Sequence, residues 1–540
     1  MSTIERFQDA LAAPTLASAS ESAQASSSSP LNTFKRYMIV DTVSPMDSSQ
    51  IIDWKLITQT SLIPHSNGLT STVYRRMLNL SATWPLTPTC TPTPSNPFAP
   101  LNSANNAAHA VQGWICIKRS DPDQQPRPHS ISREIALLQK LPQHDNLVRL
   151  YSAIYDTTHP FASTIDLVMP LYAATLEQVL QEPTLYPPSI PLPLFQSEPR
   201  PALSISHLWN NDTGFADFVQ STATQLLSGL AFLHANKVAH RDIKPCNILF
   251  ATQGTLKLID LGTAYTTLPL LDPLSSKPKY LTPELDDAQG NEPSMVCQVG
   301  TGGFRAIELL FAPTRGYDAY KVDVWSAGVV LAHFFTCLVP ICAFKSSSSN
   351  HSRGQENVMP NLDVDSNVYD ASGSKDERRE WQRAFDDSKP LELSDDDQDD
   401  LYWEEEEEEE ESSDRALQLD GFTSLSKSES GYIRAPLFES DKGDISLAAS
   451  IFGLLGLPNS VFDWPEAEYF QPSLHRLPFA ATKGKGLVQG LPIYKALQDK
   501  NEAQAAGLEK LVHQVIQKAL RISASQRPTA QELLDSFQAT

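Results

Sequence analysis

The stretch from His240 to Gly262 constrains this chain more than any other. It reads His240-Arg241-Asp242-Ile243-Lys244-Pro245-Cys246-Asn247-Ile248-Leu249-Phe250 and closes on Leu258-Ile259-Asp260-Leu261-Gly262. Two short apolar runs, Ile248 to Phe250 and Leu256 to Leu258, flank a polar turn and predict a hairpin. Such a hairpin brings Asn247, at its start, and Asp260, just past its end, to one mouth, with Asp242 and Lys244 immediately upstream. Phosphoryl transfer asks little covalent chemistry of a protein. It asks for a carboxylate that orients the attacking hydroxyl, oxygen ligands for magnesium, and cations on the phosphates. Asp242 suits the first task, Asn247 and Asp260 offer hard oxygens for the second, and Lys244 can sit on the transferring phosphate.

Everything else in the 540 residues has to support that mouth, either as several domains or as one domain swollen by insertions. Composition favours the swollen domain. Hydrophobic residues make up 41% and charged residues 20%, enough for a sizeable core, while the 40 prolines gather in a few stretches. The formal charge of −22 is concentrated. Leu391 to Asp414 holds fifteen acidic residues and no Lys or Arg, including the run Glu404 to Glu411. This reads as a solvated acidic tract, ahead of a docking site for a basic partner. So acidic a chain is a poor nucleic-acid binder, and no nucleic-acid partner is expected.

The six cysteines show neither CxxC pairing nor histidine at metal-ligand spacing, which argues against a zinc site and a disulfide framework and for a reducing, intracellular compartment. No apolar leader precedes a cleavage site near the N-terminus, so no secretory signal is expected. Val324 to Phe344 runs 21 residues without Asp, Glu, Lys or Arg, long enough to span a bilayer. Ser326, His333, Thr336 and Pro340 interrupt it and no basic flank orients it, so it is read as a buried helix and no membrane partner is expected.

Residues 1–50 are Ser-rich and aperiodic, a disordered tail. Trp54 to Ile57 and Thr72 to Arg75 read as two strands joined by a loop, Met77 to Ala110 as a loop insertion, and Trp114 to Lys118 as a strand. Ile131, Ile135, Leu138 and Leu141 fall at helical spacing, and Leu147 to Tyr155 and Thr164 to Met169 return to strand. From Phe218 the pattern is mainly helical, interrupted by polar or Pro-rich surface stretches.

The motif set resembles that of the eukaryotic protein kinases, over about Trp54 to Phe537. The resemblance implies an α+β bilobal protein kinase-like fold, a small β-rich lobe and a large α-helical lobe, over residues 51–537. Insertions would lie near 77–110, 181–212, 271–294 and the acidic 345–431. It implies ATP and Mg2+ as cofactors, with Lys118 on the phosphates, Glu134 as its helix partner, Asp242 and Lys244 as the catalytic pair, and Asn247 and Asp260 as magnesium ligands. Asp260-Leu261-Gly262 stands where the family has DFG; Phe304 to Glu308 stands for its APE region, with Arg527 the expected ion-pair partner of Glu308. Asp323 to Gly328 matches the start of the central buried helix. The hinge would be Leu167 to Tyr172, with Met169 as gatekeeper and the carbonyl of Pro170 toward the adenine, which Val73, Cys116 and Leu249 would sandwich.

Three segments resemble the cyclin-dependent kinase branch: Pro128 to Glu134 echoes PSTAIRE, Gly300 to Ala306 echoes VTLWYRA, and Ile451 to Asn459 echoes IFRLLGTPN. Thr301 would then orient Lys244 and Asp242. The chain also departs from the pattern. At the three glycine positions of the nucleotide loop stand Ser66, Gly68 and Ser71, which loosens the case for tight ATP closure and leaves a pseudokinase scaffold as the alternative. The usual phosphothreonine position holds Val296, with Ser294 the nearest hydroxyl, implying activity without phosphorylation there. Ser132 replaces the isoleucine that would meet a cyclin, leaving a cyclin partner uncertain. Gly300, Gly302 and Gly303 replace bulky residues that select the residue after the phosphoacceptor, so strict proline-directed specificity is not expected. These features together resemble the divergent fungal CDK-activating kinases. That resemblance implies a protein substrate, namely another cyclin-dependent kinase, and a place in the nucleus or cytoplasm.

Overall fold

Three layers carry the segment His240–Gly262 in the computed structural model. The model describes residues 37–41, 54–59, 61–68, 71–81, 110–159, 162–187, 189–190, 203–210, 214–275, 279–281, 295–340, 431–460, 462–470, 479, 482–500 and 503–539. The first layer is a six-stranded antiparallel sheet of β1 (Tyr37–Asp41), β2 (Ile63–Asn67), β3 (Ser71–Ser81), β4 (Ala110–Ser120), β5 (Ser152–His159) and β6 (Ala162–Pro170), in the order β1-β5-β6-β4-β3-β2. Ile115 and Ile117 of β4 are fully buried on one face; Cys116 and Lys118 alternate to the other, as the two-residue period of a strand requires.

A helix, α1 (Trp54–Gln59), lies ahead of β2, and α2 (Ile131–Lys140) follows β4. Ser130 caps α2 by accepting from the Arg133 N–H, and Ile131, Glu134, Ile135, Ala136 and Leu137 are buried. Its N-terminus is tied to the segment that carries Asp260: Ser130 N–H donates to the carbonyl of Gly262 at 3.0 Å. Below the sheet, α3 (Gly214–Ala235) and α4 (Ala319–Ala332) form the helical body with α5 (Asp444–Leu455) and α6 (Ala530–Gln538). Asp318 caps α4, and from Val322 to Ala332 every residue of that helix is buried. A helix apolar on all sides belongs in a core. It accounts for the first part of the uncharged run, Val324–Ala332, while Leu338–Pro340 is strand and residues 341–344 lie outside the described set; no helix among the described residues is long and apolar enough to cross a membrane.

Several expectations change. Trp54 to Ile57 is helix, not strand, and the carbonyls of Ile57 and Thr58 in α1 accept from Arg76 and Arg119, partners remote in sequence. Tyr37–Asp41, inside the expected tail, pairs with β5 from Tyr37↔Asp156 to Asp41↔Ser152. Strand pairing also extends into the expected loop, because β3 and β4 stay in register as far as Ser81↔Ala110; residues 82–109 lie outside the described set. Leu147 to Tyr151 is not part of β5. Instead Val148 N–H donates to Leu258 O and Leu258 N–H to Asn146 O, stitching the segment to the hairpin below. Within the Pro-rich stretch, Leu185 and Tyr186 are core residues, and a short pair, Leu270–Leu271 with Tyr280–Leu281, occupies part of the expected 271–294 loop. The acidic run Glu404–Glu411 lies outside the described residues, but its flanks do not: Leu338–Pro340 pairs antiparallel with Tyr432–Arg434.

Arg527 and Glu308 are both buried and meet end-on at 2.7 and 2.8 Å, with the guanidinium 4.8 Å from the Trp325 ring centroid. Removing one partner strands the other charge. Arg527→Ala is expected to destabilise the protein by about 3–5 kcal/mol in denaturant unfolding.

Candidate active site

Asp323 of α4 fixes the floor of the site. Its carboxylate, fully buried, accepts from the backbone N–H of His240 and of Arg241 at 2.7 Å each, and lies 2.9 Å from His234 Nε2 of α3. The grip holds Arg241 at φ 63°, a left-handed conformation that non-glycine residues seldom adopt. Asp242 follows directly. The hairpin expected from sequence is present as Ile248–Phe250 paired with Leu256–Leu258, and it delivers Asn247 and Asp260 to the same mouth. Ile259 N–H donates to Asn247 O, and the Ile259 carbonyl lies 2.8 Å from His240 Nε2, locking the two sides together.

On the C-terminal side three side chains close a triangle. Thr301 Oγ1 donates to Asp242 Oδ1 at 2.8 Å and accepts from Lys244 Nζ at 2.7 Å, while Lys244 lies 3.0 Å from Asp242 Oδ2. Burial alone would lower the Lys244 pKa, but Asp242, Cys246 and Asp260 together outweigh it and the ammonium is held above its usual range. Asn247 Nδ2 donates to both the carbonyl and the carboxylate of Asp242, at 2.8 and 3.1 Å. With its amide nitrogen so engaged, its oxygen, which accepts a long contact of 3.9 Å from the Cys246 thiol, is the group that can meet a cation.

On the sheet side, Lys118 bridges two carboxylates, Glu134 Oε2 of α2 and Asp260 Oδ1, at 3.0 Å each. Burial disfavours all three charges, with different outcomes. For Lys118, Asp260 and Glu134 together overcome burial and raise the pKa; for Asp260, the Lys118 cation overcomes it and holds the carboxyl well below its usual range. Glu134 goes the other way, because burial outweighs the pull of Lys118 and pushes it up. Asp260 sits at φ 65°, and 26% of its side-chain surface is open to the mouth.

These residues fit magnesium carried in with a nucleotide. No group of three or more His, Cys, Asp or Glu poised for a metal occurs among the described residues. One ionised carboxylate and one amide oxygen are a sparse set, which suits an ion that completes its shell with phosphate oxygens and water. Above them, β4 and β6 set Cys116 beside Met169 and Ile115 beside Pro170, while Leu249 and Val73, both half-buried, lie on the hairpin and on β3. Tyr172, half-buried at the end of this stretch, has its phenol pushed well above the usual range by burial. Gly68 makes the β2–β3 turn, its N–H donating to Ser71 O at 2.7 Å, with Ser66 paired to Val73.

The sequence reading did not anticipate the roles of His234, Asp323 or Arg305. Arg305 donates to the carbonyls of Val299 and Cys297 and pairs with Asp444. Asp323 and Arg305 gave advance signal only as members of matched motifs, and His234 gave none.

A family model described as the protein kinase domain matches residues 104–384. A serine/threonine-protein kinase of Candida glabrata is 31% identical over 212 residues, which is 38% of this chain and 28% of that protein. Cyclin-dependent kinase 4 of Mus musculus is 31% identical over 210 residues, 38% of this chain and 52% of that protein. The matched stretches thus span little more than half of these relatives at most. Among solved structures, one of the CAK complex from Chaetomium thermophilum bound to ATP-gamma-S aligns with a TM-score of 0.45 at 16% identity, covering 89% of this chain and 92% of that one.

Burial pushes the thiols of Cys116 and Cys246 up to about 12. A thiol is nucleophilic only as thiolate. Iodoacetamide at about pH 8 is therefore expected to leave both unlabelled in the folded protein and to label both after denaturation, as read by peptide mass spectrometry.

Proposed function

The chain belongs to the protein kinase domain family, and on that premise we propose that it transfers the γ-phosphoryl group of ATP to serine or threonine hydroxyls of protein substrates. The observation that carries this reading is the assembled pair of clusters, Lys118 between Glu134 and Asp260 on one side and Asp242, Lys244 and Thr301 on the other. Asp242 orients the incoming hydroxyl and accepts its proton; Thr301 and Lys244 hold that carboxylate in place, and Lys244 lies ready for the phosphate. Lys118 grips the nucleotide phosphates, kept in position by Glu134. Asn247 and Asp260 would hold Mg2+, which supplies neutralisation of the charge developing on the phosphoryl oxygens. Cys116, Met169, Val73 and Leu249 form an apolar bed for adenine, and the Pro170 carbonyl is its acceptor.

The finer reading is a cyclin-dependent-kinase-like enzyme that acts on the activation loop of another such kinase in cell-cycle or transcription control, in the nucleus or cytoplasm. Support comes from the three segments that resemble that branch, Pro128 to Glu134, Gly300 to Ala306 and Ile451 to Asn459. Gly303 is set by internal packing, since a Cβ there would come 2.6 Å from the Phe438 carbonyl. Ser132 argues against dependence on a cyclin. Ser66 and Ser71, on the strands that flank the β2–β3 turn, favour the pseudokinase scaffold, and the intact Lys118 bridge speaks against it.

The test is magnesium-dependent transfer of labelled γ-phosphate to a cyclin-dependent kinase carrying its activation-loop Thr. Wild type is expected to label it, Asp260→Asn to abolish labelling, and Asp242→Asn to slow it about 100- to 10,000-fold. Labelling of a generic Ser/Thr substrate alone removes the finer reading; labelling of nothing, without ATP binding, removes both.

A further inference from the structure

The segment from Met295 to Thr301 carries Thr301 to the catalytic aspartate, and side chains of other elements pin it along its length. Tyr317, in the turn before α4, is the first of these. Its hydroxyl donates to the Val296 carbonyl at 2.7 Å and accepts from Arg241 Nη1 at 3.2 Å. Arg241 in turn donates Nε to the Thr263 carbonyl at 2.8 Å and lies 5.6 Å from the centroid of the Tyr265 ring. Further along, Arg305 takes the Cys297 and Val299 carbonyls. Thr301 itself is held by Asp242 and Lys244.

The phenol has the one chemistry that fits its place. A hydroxyl is donor and acceptor at once, so it can join a guanidinium to a carbonyl, two groups that cannot both be served by a phenylalanine or by an ionised carboxylate. The relay starts on Arg241, whose backbone Asp323 already fixes beside Asp242. It therefore transmits the position of the catalytic loop to Val296. In many kinases a phosphate on this segment does that work by pairing with arginine. Val296 has no hydroxyl to phosphorylate.

We propose that Tyr317 is a positioning residue: its hydroxyl, bridging Arg241 to the Val296 carbonyl, sets the segment that presents Thr301 and receives the protein substrate, in place of a phosphorylated side chain. The proposal rests on the kinase reading for its activity readout and on geometry alone for its structural one.

Tyr317→Phe in the full chain removes the bridging hydroxyl and keeps the ring. Its KM for protein substrate is expected to rise about tenfold, with the KM for ATP within about twofold of wild type, because the Lys118 side of the site does not touch the relay. A merely structural lesion would move both. Hydrogen exchange across 296–301 is expected to quicken about tenfold, and wild type treated with a Ser/Thr phosphatase is expected to keep its full rate. Unchanged exchange together with unchanged KM for protein substrate would overturn the proposal. So would a phosphatase-treated wild type that falls to the rate of Tyr317→Phe. Should wild type transfer no phosphate at all, the kinase reading falls, and exchange across 296–301 decides Tyr317 by itself: faster exchange in the variant upholds the bridge, equal exchange removes it.

Discussion

The buried carboxylate of Asp323 is the constraint on which the rest depends. It is paired with two backbone N–H groups and a histidine, so its charge is met without any counter-ion from solvent. Gripping consecutive amides forces the backbone through the left-handed turn at Arg241, and that turn aims Asp242 at the mouth while sending the Arg241 guanidinium the opposite way, under Thr263 and Tyr317. One carboxylate in a buried helix thus fixes both the loop that bears Asp242 and, through Arg241 and Tyr317, the Met295–Thr301 segment that leans on it. The strain of a positive φ at an arginine is the kind of cost that persists only where surrounding structure overdetermines it.

The second organising feature is electrostatic. Lys118, Glu134 and Asp260 come from a strand, a helix and the end of a hairpin, and they cohere because one cation serves two carboxylates in a place where burial disfavours every charge. The unequal outcome matters chemically. Lys118 holds the Asp260 carboxyl well below its usual range, in the ionised form a magnesium ligand would need, whereas burial pushes Glu134 up and leaves it the weaker acid of the two. The bond from Ser130 to the Gly262 carbonyl ties the helix bearing Glu134 to the turn bearing Asp260, so the spacing of the carboxylates does not rest on charge alone.

Much of this was legible in the sequence because the chemistry is concentrated. Asp242, Lys244, Asn247 and Asp260 sit within one short stretch, and an apolar hairpin between them is a local pattern; Lys118 and Glu134 likewise sit on a strand and a helix whose periodicities are plain. What escaped depends on partners far away. The turn of helix at Trp54–Gln59 is stabilised by arginines on β3 and β4 that accept no local cue, and its apolar Trp-x-Leu-Ile text favours strand as readily. The strand at Tyr37–Asp41 exists through pairing with β5, more than a hundred residues on. Asp323 was visible as part of a motif, but that it reaches back 82 residues to Arg241 is a fact of the fold. Tyr317 had no signal at all, since a tyrosine before a helix is ordinarily a packing residue.

The paired strands Leu338–Pro340 and Tyr432–Arg434 have a consequence for how such a chain can change over time. They bring the two ends of the acidic insertion side by side, and Arg434 fastens the junction by donating to the carbonyls of Leu180 and Thr336. A loop whose ends already meet costs little more when it lengthens, about 0.6 kcal/mol for each doubling. The insertion can therefore grow or shrink with almost no thermodynamic echo at Asp242.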